Sequence, residues 1–208
     1  MFVELLEKLR CPNEHEPSPL IATASLTKNR HIIEGTLGCP VCRAEFKLHE
    51  GALELGGSCI VPMLADDALT DEKMVRLGAL LGLDERGGLY VLDFISSYFA
   101  AGLLEFSPHS QFVALACGPE MEGASAVIIG HGDGIPLAAG CARGIALDST
   151  NPKLLRAAVQ VLAPGGRLVA PADARVPQGI SELARDSELW VGEREAVPVL
   201  SEIRRASR

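Results

Sequence analysis

The stretch from Ser125 to Ala172 constrains this chain more than any other, because its apolar residues change period within it. Val127 to Ile129 and Ile145 to Leu147 are short, apolar and unbroken, which predicts buried strands of a covered sheet rather than surface helices. From Asn151 to Ala163 the period becomes helical. Pro152 suits a first helical position, Leu155, Ala158, Val159 and Leu162 share one face, and Pro164-Gly165-Gly166 is expected to end the helix. Arg167 to Ala170 predicts another strand. Strand, helix and returning strand with short joints form a right-handed crossover unit of a parallel sheet, so the expected class is α/β.

Two phrases in this stretch stand in a telling order, Ile135-Pro136-Leu137 and then Leu162-Ala163-Pro164-Gly165-Gly166-Arg167-Leu168. With Gly130 to Leu137 and Gly140 to Leu147 around them, the region resembles the second half of class I S-adenosylmethionine-dependent methyltransferases. The resemblance implies a Rossmann-like methyltransferase sheet, mostly parallel with an antiparallel edge hairpin, over residues 69–208. The tail is read to match: a short helix at Ile180 to Asp186, a strand at Leu189 to Glu195 carrying a packed Trp190, and a returning strand at Val197 to Arg204. Arg204, Arg205 and Arg208 read as a solubilising basic end.

A chain of 208 residues, 48% of them hydrophobic, can bury a sizeable core in one mid-sized domain plus a small one. The longest apolar stretch, Leu89 to Phe106, is interrupted by Asp93 and Glu105, so neither a membrane span nor a cleavable leader is expected. A net charge of −8 disfavours nucleic acid as a partner. Six cysteines without a leader point to a reducing, cytoplasmic location, where paired cysteines hold metal more often than they form disulfides.

Those pairs lie near the start. A short helix over Met1 to Leu9 leads into Cys11-Pro-Asn-Glu-His15, and a polar insert of hairpin length separates it from Cys39-Pro-Val-Cys42. Two tight turns, each offering two ligands, are the layout of a zinc ribbon, and Cys11, His15, Cys39 and Cys42 would complete a closed tetrahedral site. His15, flanked by Glu14 and Glu16, also reads as a solvated surface residue, with His31 and His49 as the replacements. Residues 1–56 have little core of their own, so metal or docking must stabilise them. LLEKLRCP, HIIEGTLGCPVC and AEFKLHEGALEL resemble the small zinc-ribbon proteins that bind and activate methyltransferases. The Cys-Pro-x-x-His turn resembles the zinc module of ribosomal RNA guanine methyltransferases. Gly56-Gly57-Ser58 reads as the boundary, with a linker over 57–68 that carries Cys59, and a methyltransferase-like domain over 69–208.

That second domain is expected to open with a helix from the N-cap Thr70 to a C-cap near Gly82, followed by a turn at Gly87-Gly88 and a strand at Leu89 to Asp93. The methyltransferase family continues from this acidic position with a glycine-rich loop, because the cofactor lies against bare backbone. Here Phe94-Ile95-Ser96-Ser97-Tyr98-Phe99 follows, and Ile95 and Phe99 are bulky. After the second strand, Gln111 to Ala116, Cys117-Gly118 stands where the family has an acidic residue, with Glu120 three residues late. His131 replaces the adenine-binding Asp, with Asp133 two residues on, and Ala142-Arg143 replaces Phe-Asp. If the site were active, the resemblance would assign cofactor contacts to Asp93, Glu120, His131 and Asp133. His131 and Asp133 read equally as solvent-facing residues of a tight loop, and Asp148 with Ser149 and Thr150 as a cap for the helix at Pro152. Two functions follow. The first is a degenerate, non-catalytic methyltransferase-like protein with structural zinc and no S-adenosylmethionine, which binds another methyltransferase or a protein complex. The alternative is an active S-adenosylmethionine-dependent enzyme acting on RNA, protein or a small molecule.

Overall fold

The computed structural model describes residues 1–57, 69–116 and 122–196. The chain begins with a 3-10 helix at Val3–Lys8, inside the short helix expected over Met1 to Leu9. Four antiparallel strands follow: β1 (Ile21–Lys28), β2 (His31–Gly38), β3 (Glu45–His49) and β4 (Ala52–Glu54). Asn29 and Arg30 join β1 to β2, and Glu50 and Gly51 join β3 to β4, all four with positive φ. Two-residue turns of that kind match the right-handed twist of paired strands.

The larger part follows as α1 (Asp71–Leu81), β5 (Gly88–Leu92), α2 (Phe94–Ser97), α3 (Ala100–Phe106), β6 (Ser110–Ala116) and β7 (Ala126–Ile129). It ends with β8 (Ala142–Ala146), α4 (Pro152–Val161), β9 (Leu162–Pro171), β10 (Ile180–Arg185) and β11 (Leu189–Arg194). α1 forms as its sequence dictates: the Thr70 hydroxyl accepts from Lys73 N at 3.3 Å, and Gly82, at φ 67°, closes the helix.

All the strands join one eleven-stranded sheet in the order β1-β2-β3-β4-β7-β6-β5-β8-β9-β11-β10. From β4 to β9 every neighbour is parallel, and β9, β11 and β10 are antiparallel. Chain order reverses between β5 and β8, the switch point of a doubly wound, Rossmann-like sheet. Alternate residues of β5 serve opposite faces. Leu89 and Val91 share a core with Leu155 and Ala158 of α4, whereas Tyr90 and Leu92 pack with Leu77 of α1 and Leu103 of α3.

Among the described residues, no α-helix covers the α4-side face over β6 and β7; the N-terminal unit, with its 3-10 helix, does so. Met1, Leu5 and Leu9 share a core with Val113, Leu115 and Ile128. Phe2 N donates to Ser125 O at 2.8 Å, Arg10 N to Pro136 O at 2.8 Å, and Ala138 N to Lys8 O at 2.7 Å. Burying a leucine stabilises by about 1.5–3 kcal/mol, and Leu5, Leu9, Leu37, Leu48 and Leu53 are all fully buried. One core and one sheet thus hold residues from both sides of the segment read as a boundary. Gly57 is there for close approach: a Cβ on it would lie 2.4 Å from Gly130 O.

Three expectations are corrected. Ile180 to Asp186 is not a helix but strand β10, paired with β11 from Ile180↔Arg194 to Arg185↔Trp190. Pro164-Gly165-Gly166 does not end α4: the helix stops at Val161, Leu162 turns extended, and the three residues lie in an irregularity of β9 between the pairs Ala142↔Leu162 and Gly144↔Arg167. Asp148 does not cap α4, because the Asn151 side chain accepts from Lys153 N. Trp190 packs as expected, 1% exposed, its indole N–H donating to Ala174 O at 3.0 Å. Cys59, Cys117, Gly118, Glu120, the strand expected over Val197 to Arg204, and Arg204, Arg205 and Arg208 lie outside the described residues. Among the described residues, no helix is long and apolar enough to cross a membrane.

Candidate metal centre and switch-point site

Cys11, His15, Cys39 and Cys42 come together so that their ligand atoms all lie within 4.8 Å of one another, a group that could hold a metal ion. The turn from Cys11 is held by Cys11 N donating to Ser18 O at 2.9 Å. The turn from Cys39 is closed by Cys39 N donating to Ala44 O at 2.9 Å and Arg43 N to Cys39 O at 3.0 Å, with Arg43 at φ 60°. The distances fit zinc. With Zn–S near 2.3 Å and Zn–N near 2.0–2.1 Å, tetrahedral edges are about 3.8 Å between sulfurs and about 3.5 Å from sulfur to nitrogen. Cys11 Sγ and Cys42 Sγ are 3.7 Å apart, and Cys39 Sγ is 3.4 Å from His15 Nε2.

The surroundings prepare these side chains unequally. The Ala44 N–H and the Asn13 side chain pull the Cys42 thiol down to about 6, whereas burial pushes Cys11 up to about 11. At Cys39 burial opposes ionisation, but the N–H groups of Cys42 and Val41 outweigh it and leave the thiol below its ordinary value. His15 Nδ1 lies 2.6 Å from Glu16 O. A proton on Nδ1 donated to that carbonyl leaves Nε2 as the nitrogen facing the sulfurs, the second-sphere arrangement of a ligating imidazole. The replacement candidates are engaged elsewhere: His31 Nδ1 with Asn29 O at 3.0 Å, and His49 Nδ1 with Glu34 at 3.1 Å.

The switch point carries the second constellation. Asp93 follows β5, 7% exposed; its Oδ1 accepts from Phe94 N and its Oδ2 from Asp148 N, both at 3.0 Å. Asp148 follows β8, the parallel neighbour of β5, in the register Leu92↔Ala146. Its Oδ2 accepts from Ile95 N at 2.6 Å and Ser96 N at 3.0 Å, and its Oδ1 from Ser96 Oγ at 2.8 Å. Burial pushes the Asp148 carboxyl up to about 6, and the negative charge of Asp93 adds to the shift. Phe94 to Ser97 is therefore a helical turn from its first residue, with the amides of Phe94, Ile95 and Ser96 consumed by two carboxylates of the chain itself and that of Ser97 by the Asp93 carbonyl. Beside it, between α1, α2 and the carboxyl ends of β8 and β9, lies a cavity of about 260 Å³.

The other expected positions are scattered. His131 Nδ1 is 3.0 Å from Gly134 O within its own loop. Asp133 is exposed and meets Asn151 Nδ2 at 2.6 Å and Lys153 Nζ at 3.1 Å, which ties the loop to the start of α4. Arg143 pairs with Asp84 at 2.9 Å, at the opposite end of β5 and β8 from Asp93. The tie from Asp148 to Ile95 and Ser96 was missed by sequence reasoning. Its signal is a carboxylate just beyond the carboxyl end of each of two adjacent strands.

No known family profile matches this chain, and no curated protein sequence does. Solved structures give partial fold similarity. The antibiotic-resistance methyltransferase Kmr is 14% identical, with 69% of this chain and 98% of that one covered and a TM-score of 0.42. A chain from the complex of the Haloferax volcanii Trm112 methyltransferase activator is 12% identical, with 64% and 100% covered and a TM-score of 0.46. The N-methyltransferase NodS from Bradyrhizobium japonicum WM9 is 14% identical, with 64% and 100% covered and a TM-score of 0.43.

Proposed function

We propose that this chain is a methyltransferase-like protein without transferase activity, a scaffold or binding partner whose N-terminal ribbon (1–56) is held by one structural zinc on Cys11, His15, Cys39 and Cys42. Residues 57–68 serve as the linker and 69–208 as the methyltransferase-like unit. The observation that carries this reading is the Asp148 carboxylate on Ile95 N, Ser96 N and Ser96 Oγ. In the enzymes that this sequence resembles, a glycine-rich loop leaves that backbone open to the cofactor. Here a cofactor would have to displace an internal acceptor from three donors, and an orphaned buried donor costs about 1–3 kcal/mol. Of the four positions that the resemblance would assign to the cofactor, Asp93 is spent on Phe94 N and Asp148 N, Asp133 on Asn151 and Lys153, and His131 faces Gly134 O. Glu120 lies outside the described residues.

The partner is a protein, engaged through surfaces other than β4, since β4 is taken by β7 within the same chain. Thermal unfolding of the zinc-loaded protein with 1 mM S-adenosylmethionine tests the reading. A millimolar or weaker ligand adds less than about 0.5 kcal/mol and moves Tm by about 2 °C at most, whereas one with a 10 μM dissociation constant adds about 2.7 kcal/mol. A rise of 5 °C or more would show an open cofactor site and favour the active enzyme.

A further inference from the structure

We infer that the cavity beside α2 is a binding site for a small organic ammonium ion, an arylalkylamine of one ring and a short chain, with Asp148 as its acceptor. The inference rests on the closed-crevice reading above and names what the remaining space is suited to hold.

Position comes first. Ligands of open α/β sheets bind outside the carboxyl ends of the strands at the switch point, and this cavity lies there, against Ala146, Leu147 and Asp148 following β8 and Val169 of β9. Size comes second. At about 260 Å³ it falls below the usual range of about 300–1,000 Å³ for drug-sized ligands, whereas an apolar cavity of about 150 Å³ accepts benzene. One ring with two or three further atoms fits between those limits. The walls suit such a body, because Leu77, Ile95, Phe99, Val169 and Leu189 supply apolar surface.

Charge decides the rest. A carboxylate offers about four acceptor positions, and Asp148 fills three of them with Ile95 N, Ser96 N and Ser96 Oγ. One is left for a donor arriving from the cavity that Asp148 lines. The second carboxylate, Asp93, sits directly behind it, tied to Asp148 N at 3.0 Å. At the rim Arg76 is already held by Asp186 and Glu188, and Lys73, from the first turn of α1, lines the cavity as well. Burial, and after it the charge of Asp93, raises the Asp148 carboxyl, and a cation in the cavity would oppose both. A charge-assisted contact in an apolar enclosure is the stronger kind of hydrogen bond, so an ammonium is preferred to a neutral donor.

The test is a titration of the zinc-loaded, nitrogen-15-labelled chain with phenethylamine and, separately, with phenylacetate, an acid of the same chain length and one non-hydrogen atom more. Saturable shifts of the Ile95 and Ser96 amides with the amine alone are expected. Asp148→Asn should weaken binding about tenfold or more. Leu189→Phe, which narrows the cavity and leaves Asp148 in place, should abolish it; the spectrum of each variant reports whether it is folded. No saturable shift with the amine, equal binding of the acid, or full binding by folded Leu189→Phe would overturn the inference. S-adenosylmethionine is titrated in parallel: its binding at micromolar concentration would sink the closed-crevice reading, a failure separate from that of the amine.

Discussion

The metal centre and the switch point each gather polar side chains from distant parts of the chain, and they end in opposite conditions. At the first, three thiols and an imidazole lie within 4.8 Å of one another, Cys11 to Cys42 at 3.7 Å and Cys39 to His15 at 3.4 Å, and the Asn13 amide that reaches Cys42 donates to it, so the set offers acceptors that suit a cation. At the second, the N–H groups of Phe94, Ile95 and Ser96 have each been given an internal carboxylate, and the helix starts where a loop would have to stay open. A site that waits for a ligand leaves like groups facing each other; a site that has closed pairs unlike ones. By that criterion the two cysteine turns are suited to a bound ion, and the α2 turn is satisfied within the chain.

The contrast can be broken at its strong end first. Cys39→Ala should abolish stoichiometric zinc and unfold residues 1–56, at a cost on the order of 5 kcal/mol or more; elemental analysis and circular dichroism read both. Retention of a full equivalent of zinc would mean that the four residues are not the ligand set. At the switch point, Asp148→Ala strands Ile95 N, Ser96 N and Ser96 Oγ and should cost about 2–4 kcal/mol in urea unfolding at pH 7. A neutral or stabilising result would mark Asp148 as a strained functional carboxylate rather than a structural clamp.

A smaller effect sharpens the point through pH. The Asp148 carboxyl lies at about 6 in the folded protein against an ordinary 3.8, so the folded state binds its proton more tightly. The stability this contributes is full below about pH 4 and is lost as pH rises through 6. Asp84, lowered by its hydrogen bonds from Arg143, and Asp133, lowered by Asn151 and Lys153, act in the opposite sense, and their contributions fade as pH falls below 4. The stability difference between wild type and Asp148→Asn should therefore shift against wild type from pH 4 to 6; a flat difference would contradict the assignment. Smallest of all, Asp133→Asn removes an exposed pair with Lys153 and should cost about 0.2–1 kcal/mol, with zinc content unchanged.

Much of this was legible in the sequence where the signal was local. Thr70 and Gly82 bracket α1 because a cap acts within one turn, and the metal candidates were visible because two tight turns each impose their own spacing. What depended on partners distant in sequence was not. Ile180-Ser-Glu-Leu-Ala-Arg carries helix formers at helical spacing, yet pairing with β11 overrides that propensity and leaves Leu183 53% exposed on the sheet edge. Pro-Gly-Gly looks like a helix stop, and only the partner β8 turns it into an irregularity of β9. Asp148 resembles a cap because strand register, which sets it beside Asp93, is not written in either strand. Nor does composition reveal that Met1, Leu5 and Leu9 would cover the face over β6 and β7.

Isothermal titration of S-adenosylmethionine into the zinc-loaded protein at tens of micromolar tests the contrast most directly, because only an open switch point can bind it. The account predicts no measurable heat of binding, in keeping with a dissociation constant in the millimolar range or weaker. A saturating isotherm with a micromolar constant would contradict it and make Asp148 a displaceable plug in a working cofactor site.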